Sequence, residues 1–186
     1  MRDQKRVAIL ISGRGSNMRA LIEADHDYQV ALVASNKPAA AGLEWARERG
    51  LQTWALESKS LEKEEFDRLM SAVLEEHGIG TVALAGFMRI LSPWFVEEWR
   101  GRIVNIHPSL LPRYRGLDTH ARAIAAGDAV GGCSVHVVTE ELDAGEVLGQ
   151  AEVAIEPGDT ADRLEQRVLA AEHMLYPKVL SEFVNR

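Results

Sequence analysis

Short apolar runs alternate with helix-length stretches along the whole 186-residue chain, and this alternation restricts the fold more than any other feature. Residues 7–11, Val-Ala-Ile-Leu-Ile, form an unbroken apolar run that ends in Ser and Gly. Further strand-like runs cover residues 29–34, 52–56, 79–85, 102–107, 132–138 and 147–155. The run at 79–85 holds almost nothing polar, which suits a central parallel strand covered on both faces. Between the runs lie helical patterns at 17–24 and 41–49, one from a Ser60 cap to His77, one opened by Ser92-Pro93, and one at 119–126. A last helix of about 20 residues follows a cap at Asp159 or Thr160. Strand–helix alternation of this kind specifies an α/β fold, Rossmann-like, with a mostly parallel sheet of about seven strands and helices on both faces.

Length and charge narrow the function. At about 150 residues per domain, 186 residues make one domain, 1–186. The formal net charge is −7, from 21 Lys+Arg and 28 Asp+Glu, which argues against a dedicated nucleic-acid binder. No segment reaches the roughly 20 apolar residues of a membrane helix. No signal-peptide pattern follows the N-terminus, so a cytoplasmic location is expected. Cys133 is the single cysteine and cannot form an intrachain disulfide. It reads as a small buried hydrophobe. The six His residues show no metal-ligand spacing, so no metal is expected.

Four places carry chemistry. Gly13-Arg14-Gly15-Ser16-Asn17 joins the first strand to the first helix, where free N–H groups attract a phosphate monoester. It lacks both a Walker A ending and a third dinucleotide glycine, and it also serves as an ordinary turn. Asn105 and His107 are two residues apart on one strand, so they share a face at its carboxyl end. An imidazole exchanges protons near neutrality and a carboxamide donates to a developing oxyanion. Ser134 and His136 repeat the spacing and read as structural support. Asp143 lies in the acidic turn Glu140-Glu141-Leu142-Asp143, either solvated or orienting an imidazole. Glu172 falls near the apolar stripe of the last helix, where it either reaches the rim or accepts from hydroxyl groups. The irregular stretch 107–118, rich in Pro, Arg and Gly, is long enough to expect a functional loop.

These residues sit in the stretches ILISGRGSN, ASNKPAA, LAGFMRILSPWFV, GRIVNIHPSLLPRYRG, SVHVVTEELDAG and AEHMLYP. In order and content they resemble the phosphoribosylglycinamide formyltransferases, folate-dependent enzymes of purine synthesis. The resemblance implies formyl transfer from 10-formyltetrahydrofolate to the amine of glycinamide ribonucleotide, with small-molecule partners only and a homodimer left open. It implies catalytic roles for Asn105, His107 and Asp143. It assigns Gly15, Ser16, Asn17 and Glu172 to the ribonucleotide, in a phosphate-binding N-terminal half. The folate residues it implies are Lys63, Met88, Arg89, Ile90, Leu91, Asn105 and the loop Thr139, Glu140, Glu141, Leu142 and Asp143. At position 63 the family often carries Arg. Arg115 and Asp118 stand where it commonly has Pro and His, so the loop is altered. Two other classes fit less of the pattern: a formyltransferase for another amine, and a non-catalytic folate or nucleotide binder.

Overall fold

β1 (Arg6–Ile11) alternates between two cores, and that alternation organises the molecule. The computed structural model describes residues 3–186. Val7, Ile9 and Ile11 pack with Met18, Leu21 and Leu43 on one side of the sheet. Ala8 and Leu10 pack with Phe66, Met70, Phe95 and Trp99 on the other. These five β1 side chains are fully buried. Burying a Val, Ile or Leu side chain contributes roughly 1.5–3 kcal/mol, so this strand anchors both layers.

The remaining elements are α1 (Ser16–Glu23), β2 (Gln29–Ser35), α2 (Ala41–Glu48), β3 (Thr53–Ala55), α3 (Lys63–Glu76), β4 (Thr81–Leu84) and α4 (Pro93–Glu98). After them come β5 (Ile103–His107), α5 (Thr119–Ala125), β6 (Val130–Val137), β7 (Val147–Ala154) and α6 (Ala161–Val184). The sheet order is β3-β2-β1-β4-β5-β6-β7. The first five are parallel, while β6 pairs antiparallel with β5 and β7 antiparallel with β6. Side chains of α1, α2 and α6 fill one core, and those of α3 and α4 fill the other. The α/β expectation of seven mostly parallel strands therefore holds.

One helix start differs from the sequence reading, and another falls on one of its two candidate caps. α3 begins after Glu62, not Ser60, because residues 58–61 close a turn in which Leu61 N–H donates to Ser58 O. Glu64 and Glu65 remain in its first turn, where the helix dipole favours carboxylates. α6 is 24 residues long and Thr160 is its cap, its hydroxyl accepting from Arg163 N–H. Asp159 instead pairs with Arg167. Within α6 the fully buried Tyr176 donates its phenol O–H toward Leu84 O (3.0 Å) and Val104 O (3.2 Å). One side chain thus ties the long helix to two neighbouring strands.

Candidate active site

The strand order reverses at β1 and β4, which lie side by side although separated in sequence. Open α/β sheets bind ligands at the carboxyl ends of strands around such a point. A cavity of about 550 Å³ opens there, on the α3–α4 side of the sheet. Its walls come from the segment after β4, from β5 and β6, and from the turns at 116–117 and 139–143. The lining is largely apolar, and Met88, Ile90, Leu117 and Leu142 are 56–73% exposed. Large apolar side chains left in water beside a cavity favour a flat, partly apolar ligand.

Asn105 and His107 enter this cavity from β5, while Val104 and Ile106 face the opposite core. In the antiparallel register Asn105 lies opposite His136 and His107 opposite Ser134. His136 Nδ1 is 3.1 Å from Val137 O, which places a proton on Nδ1. Its Nε2 is then the acceptor for the Asn105 Nδ2–H at 3.1 Å. Burial holds His136 below the ordinary imidazole range, against the opposing pull of the Val137 carbonyl and Asp143. Ser134 faces the same side but is spent on structure. Its hydroxyl donates to Ser109 O (2.6 Å) and accepts from Leu111 N–H (3.0 Å), fixing the start of the loop after β5.

That loop returns over His107. Tyr114, with a left-handed φ of 55°, presents its carbonyl 2.9 Å from His107 Nε2. The Tyr114 phenol donates to Asp128 at 2.6 Å. Two residues on, Gly116 N–H donates to Asp143 Oδ2 at 2.9 Å. Asp143 itself sits at φ 50° in the β6–β7 turn, with Oδ2 3.5 Å from His107 Nδ1 and Oδ1 3.7 Å from His136 Nε2. Both its carboxylate and the His107 ring are about 7% exposed. One strap, residues 114–116, therefore touches both the imidazole and the acid. Arg115 extends from it to Glu141, 2.6 Å away, joining the two loops across the cavity mouth.

On the other side of the sheet, the turn after β1 leads into α1. Gly15 occupies the N-cap at φ 72°, a left-handed conformation that favours glycine, and no side chain caps the helix. The first N–H groups of α1 have no acceptor within the helix. Asn17 Nδ2 donates to Glu172 Oε2 at 2.7 Å, and both residues are buried. Burial raises the Glu172 carboxyl above its usual range although the Asn17 bond opposes this. The neighbouring Cys133 thiol is pushed up to about 12, first by burial and then by Glu172. It stays protonated at neutral pH and is no nucleophile.

The profile of the formyl transferase family matches residues 5–180. The chain belongs to that family. The chain is 46% identical over 184 residues to the phosphoribosylglycinamide formyltransferase of Escherichia coli (strain K12), covering 96% of this chain and 87% of that protein. It is 46% identical over 180 residues to the human trifunctional purine biosynthetic protein adenosine-3, covering 94% of this chain. It spans 18% of that relative and 14% of the corresponding protein of Drosophila melanogaster. In structure it superposes on the phosphoribosylglycinamide formyltransferase of Coxiella burnetii with a TM-score of 0.92, at 41% identity, covering 97% of this chain and 87% of that one.

Within this formyl transferase, nine of the expected folate residues line the one cavity. These are Met88, Arg89, Ile90 and Leu91, then Asn105, then Thr139, Glu140, Leu142 and Asp143. Two do not. Glu141 points to Arg115, and Lys63 is an exposed residue at the start of α3. Lys63 still acts on the buried Asp67, whose carboxyl burial pushes up and whose bonds to Ser92, with Arg89 and Lys63, pull down. Asp67 in turn accepts from Ser92 N–H at 2.6 Å, closing the turn that carries residues 88–91. Sequence reasoning missed the Tyr114 carbonyl and the Gly116 N–H, since backbone groups carry no sequence signal. It also missed Phe87, Leu117 and Val138 on the walls. Among the described residues no group of three His, Cys, Asp or Glu could hold a metal ion.

Proposed function

We propose that this chain transfers the formyl group of 10-formyltetrahydrofolate to the amine of glycinamide ribonucleotide. The observation that carries the reading is the convergence of Asn105, His107 and Asp143 at the cavity wall, beside apolar residues suited to a pterin. The similar enzymes of Escherichia coli and Coxiella burnetii are phosphoribosylglycinamide formyltransferases, which supports the same acceptor.

The amine attacks the formyl carbon, forming a C–N bond and placing negative charge on the formyl oxygen. With Nε2–H engaged by Tyr114 O, Nδ1 is the His107 nitrogen left to take a second proton, beside Asp143 Oδ2. The Asn105 Nδ2 group has one N–H toward His136 and a second one free for the oxyanion. Such donors contribute about 3–4 kcal/mol each in a transition state. Collapse breaks the bond between the formyl carbon and the folate nitrogen. The proton lost by the amine moves to that nitrogen, with Asp143 as its relay. The phosphate docks at the first N–H groups of α1, and the ribose hydroxyls donate to Glu172.

The test is incubation of the purified chain with both substrates while following tetrahydrofolate release. Turnover is expected with glycinamide ribonucleotide and not with unrelated amines; transfer to another amine alone would overturn the acceptor assignment. His107→Ala should lower kcat about 100-fold with KM values nearly unchanged. Turnover within threefold of the parent would remove His107 from the mechanism.

A further inference from the structure

The segment Ser35-Asn36-Lys37 ends β2 and does not touch the cavity, yet Asn36 is only 4% exposed. Its side chain lies in a buried polar chain. Ser12 Oγ–H donates to Asn36 Oδ1 at 2.5 Å, and Asn36 Nδ2–H reaches Ser58 Oγ at 3.4 Å. With its proton committed to Asn36, the Ser12 oxygen presents a lone pair to Met88 N–H, 2.7 Å away. Ser12 also donates its own N–H to Gly86 O at 3.1 Å. Both ends of the turn 86–88 are therefore tied to one residue of the neighbouring strand end. That residue immediately precedes Gly13-Arg14-Gly15.

Met88 lines the cavity but has two-thirds of its surface in solvent, so packing alone holds it poorly. The backbone bond to Ser12 is its anchor, and the direction of that bond depends on Asn36 accepting the hydroxyl proton. A buried polar chain is costly when broken, because each orphaned group loses its partner without regaining water. Fully paired, such a chain fixes direction more sharply than apolar contact does.

We propose that Ser12 and Asn36 are positioning residues for the formyl donor, a relay that sets the Met88 wall of the cavity from the end of β1. The proposal rests on reading that cavity as the folate site. It predicts an effect on one substrate only, although Ser12 adjoins the turn assigned to the other.

The experiment measures both KM values and kcat for Ser12→Ala, Asn36→Leu and Asn36→Asp, with thermal melts to establish folding. Ser12→Ala and Asn36→Leu should raise KM for 10-formyltetrahydrofolate about fivefold, as expected for one lost hydrogen bond, with ribonucleotide KM and kcat within about twofold. Asn36→Asp keeps an acceptor for the Ser12 hydroxyl and should stay within about twofold of the parent. If Asn36→Leu does not fold, Ser12→Ala, which loses a single oxygen atom, decides the matter. An unchanged folate KM in folded Ser12→Ala overturns the relay, as does an equal loss in every parameter. Met88→Asp separates the two levels. If it raises folate KM and Ser12→Ala does not, the relay alone falls; if neither does, the folate reading of this wall falls with it.

Discussion

At the residue scale, Glu172 links the proposed ribonucleotide site to stability. It is a carboxyl buried against Asn17 with its protonation range raised by desolvation. Between the unfolded and the folded titration ranges, the folded state binds more protons at this site than the unfolded chain. Stability contributed here is present at low pH and is lost as pH rises through the raised folded range. Glu172→Gln keeps an oxygen for Asn17 and removes the charge. It should melt a few degrees higher than the parent at pH 8 and show a flatter pH dependence. The same variant should raise KM for the ribonucleotide, if the carboxylate accepts from the ribose hydroxyls. Differential scanning calorimetry at pH 5 and pH 8 checks the first part; a parent whose melting point rises steadily with pH at Glu172's expense would refute it.

At the scale of elements, the strap 114–116 and the 139–143 turn form the mouth of the cavity. Arg115 and Glu141 join them through an exposed pair, 41% and 73% accessible. Exposed pairs contribute at most about 1 kcal/mol and are screened by salt. Arg115→Ala should therefore raise KM for the formyl donor about two- to threefold at low ionic strength. In about 1 M salt, where the screening length is near 3 Å, the difference should vanish. A salt-independent effect would place the role of Arg115 elsewhere. The elements themselves were legible because short apolar runs alternate with helix-length patterns, with Ser12, Gly80 and Pro108 punctuating three of the strands. The Asn105 and His107 pair was legible for the same reason: a two-residue spacing fixes a common face on any strand. Asp143 carried no such constraint. Its place depends on the turn between β6 and β7 and on the N–H of Gly116, both long-range facts. Lys63, which the resemblance assigned to the folate side, lies outside the cavity lining at the exposed start of α3.

At the scale of the whole molecule, two cores share one sheet, and the site spans the sheet's carboxyl edge. The apolar wall belongs to the α3–α4 side, whereas Asn17 and Glu172 belong to the α1–α6 side. Tyr176 helps hold the α6 layer in register with β4 and β5, the strands whose ends carry the cavity. Tyr176→Phe leaves two buried carbonyls without this donor while preserving the ring. It should cost about 1–2 kcal/mol and lower Tm by about 3–6 °C. Chemical denaturation with an unchanged m-value would confirm the loss as one of stability, and an unaltered midpoint would show that the strand carbonyls are satisfied without it.

The strap described above holds the imidazole by a carbonyl and the acid by an amide only two residues apart. Lifting it would release both groups together, so a gaping mouth and a competent proton pathway exclude each other. For the proposed formyl transfer, such coupling of access to disassembly would limit hydrolysis of the one-carbon donor.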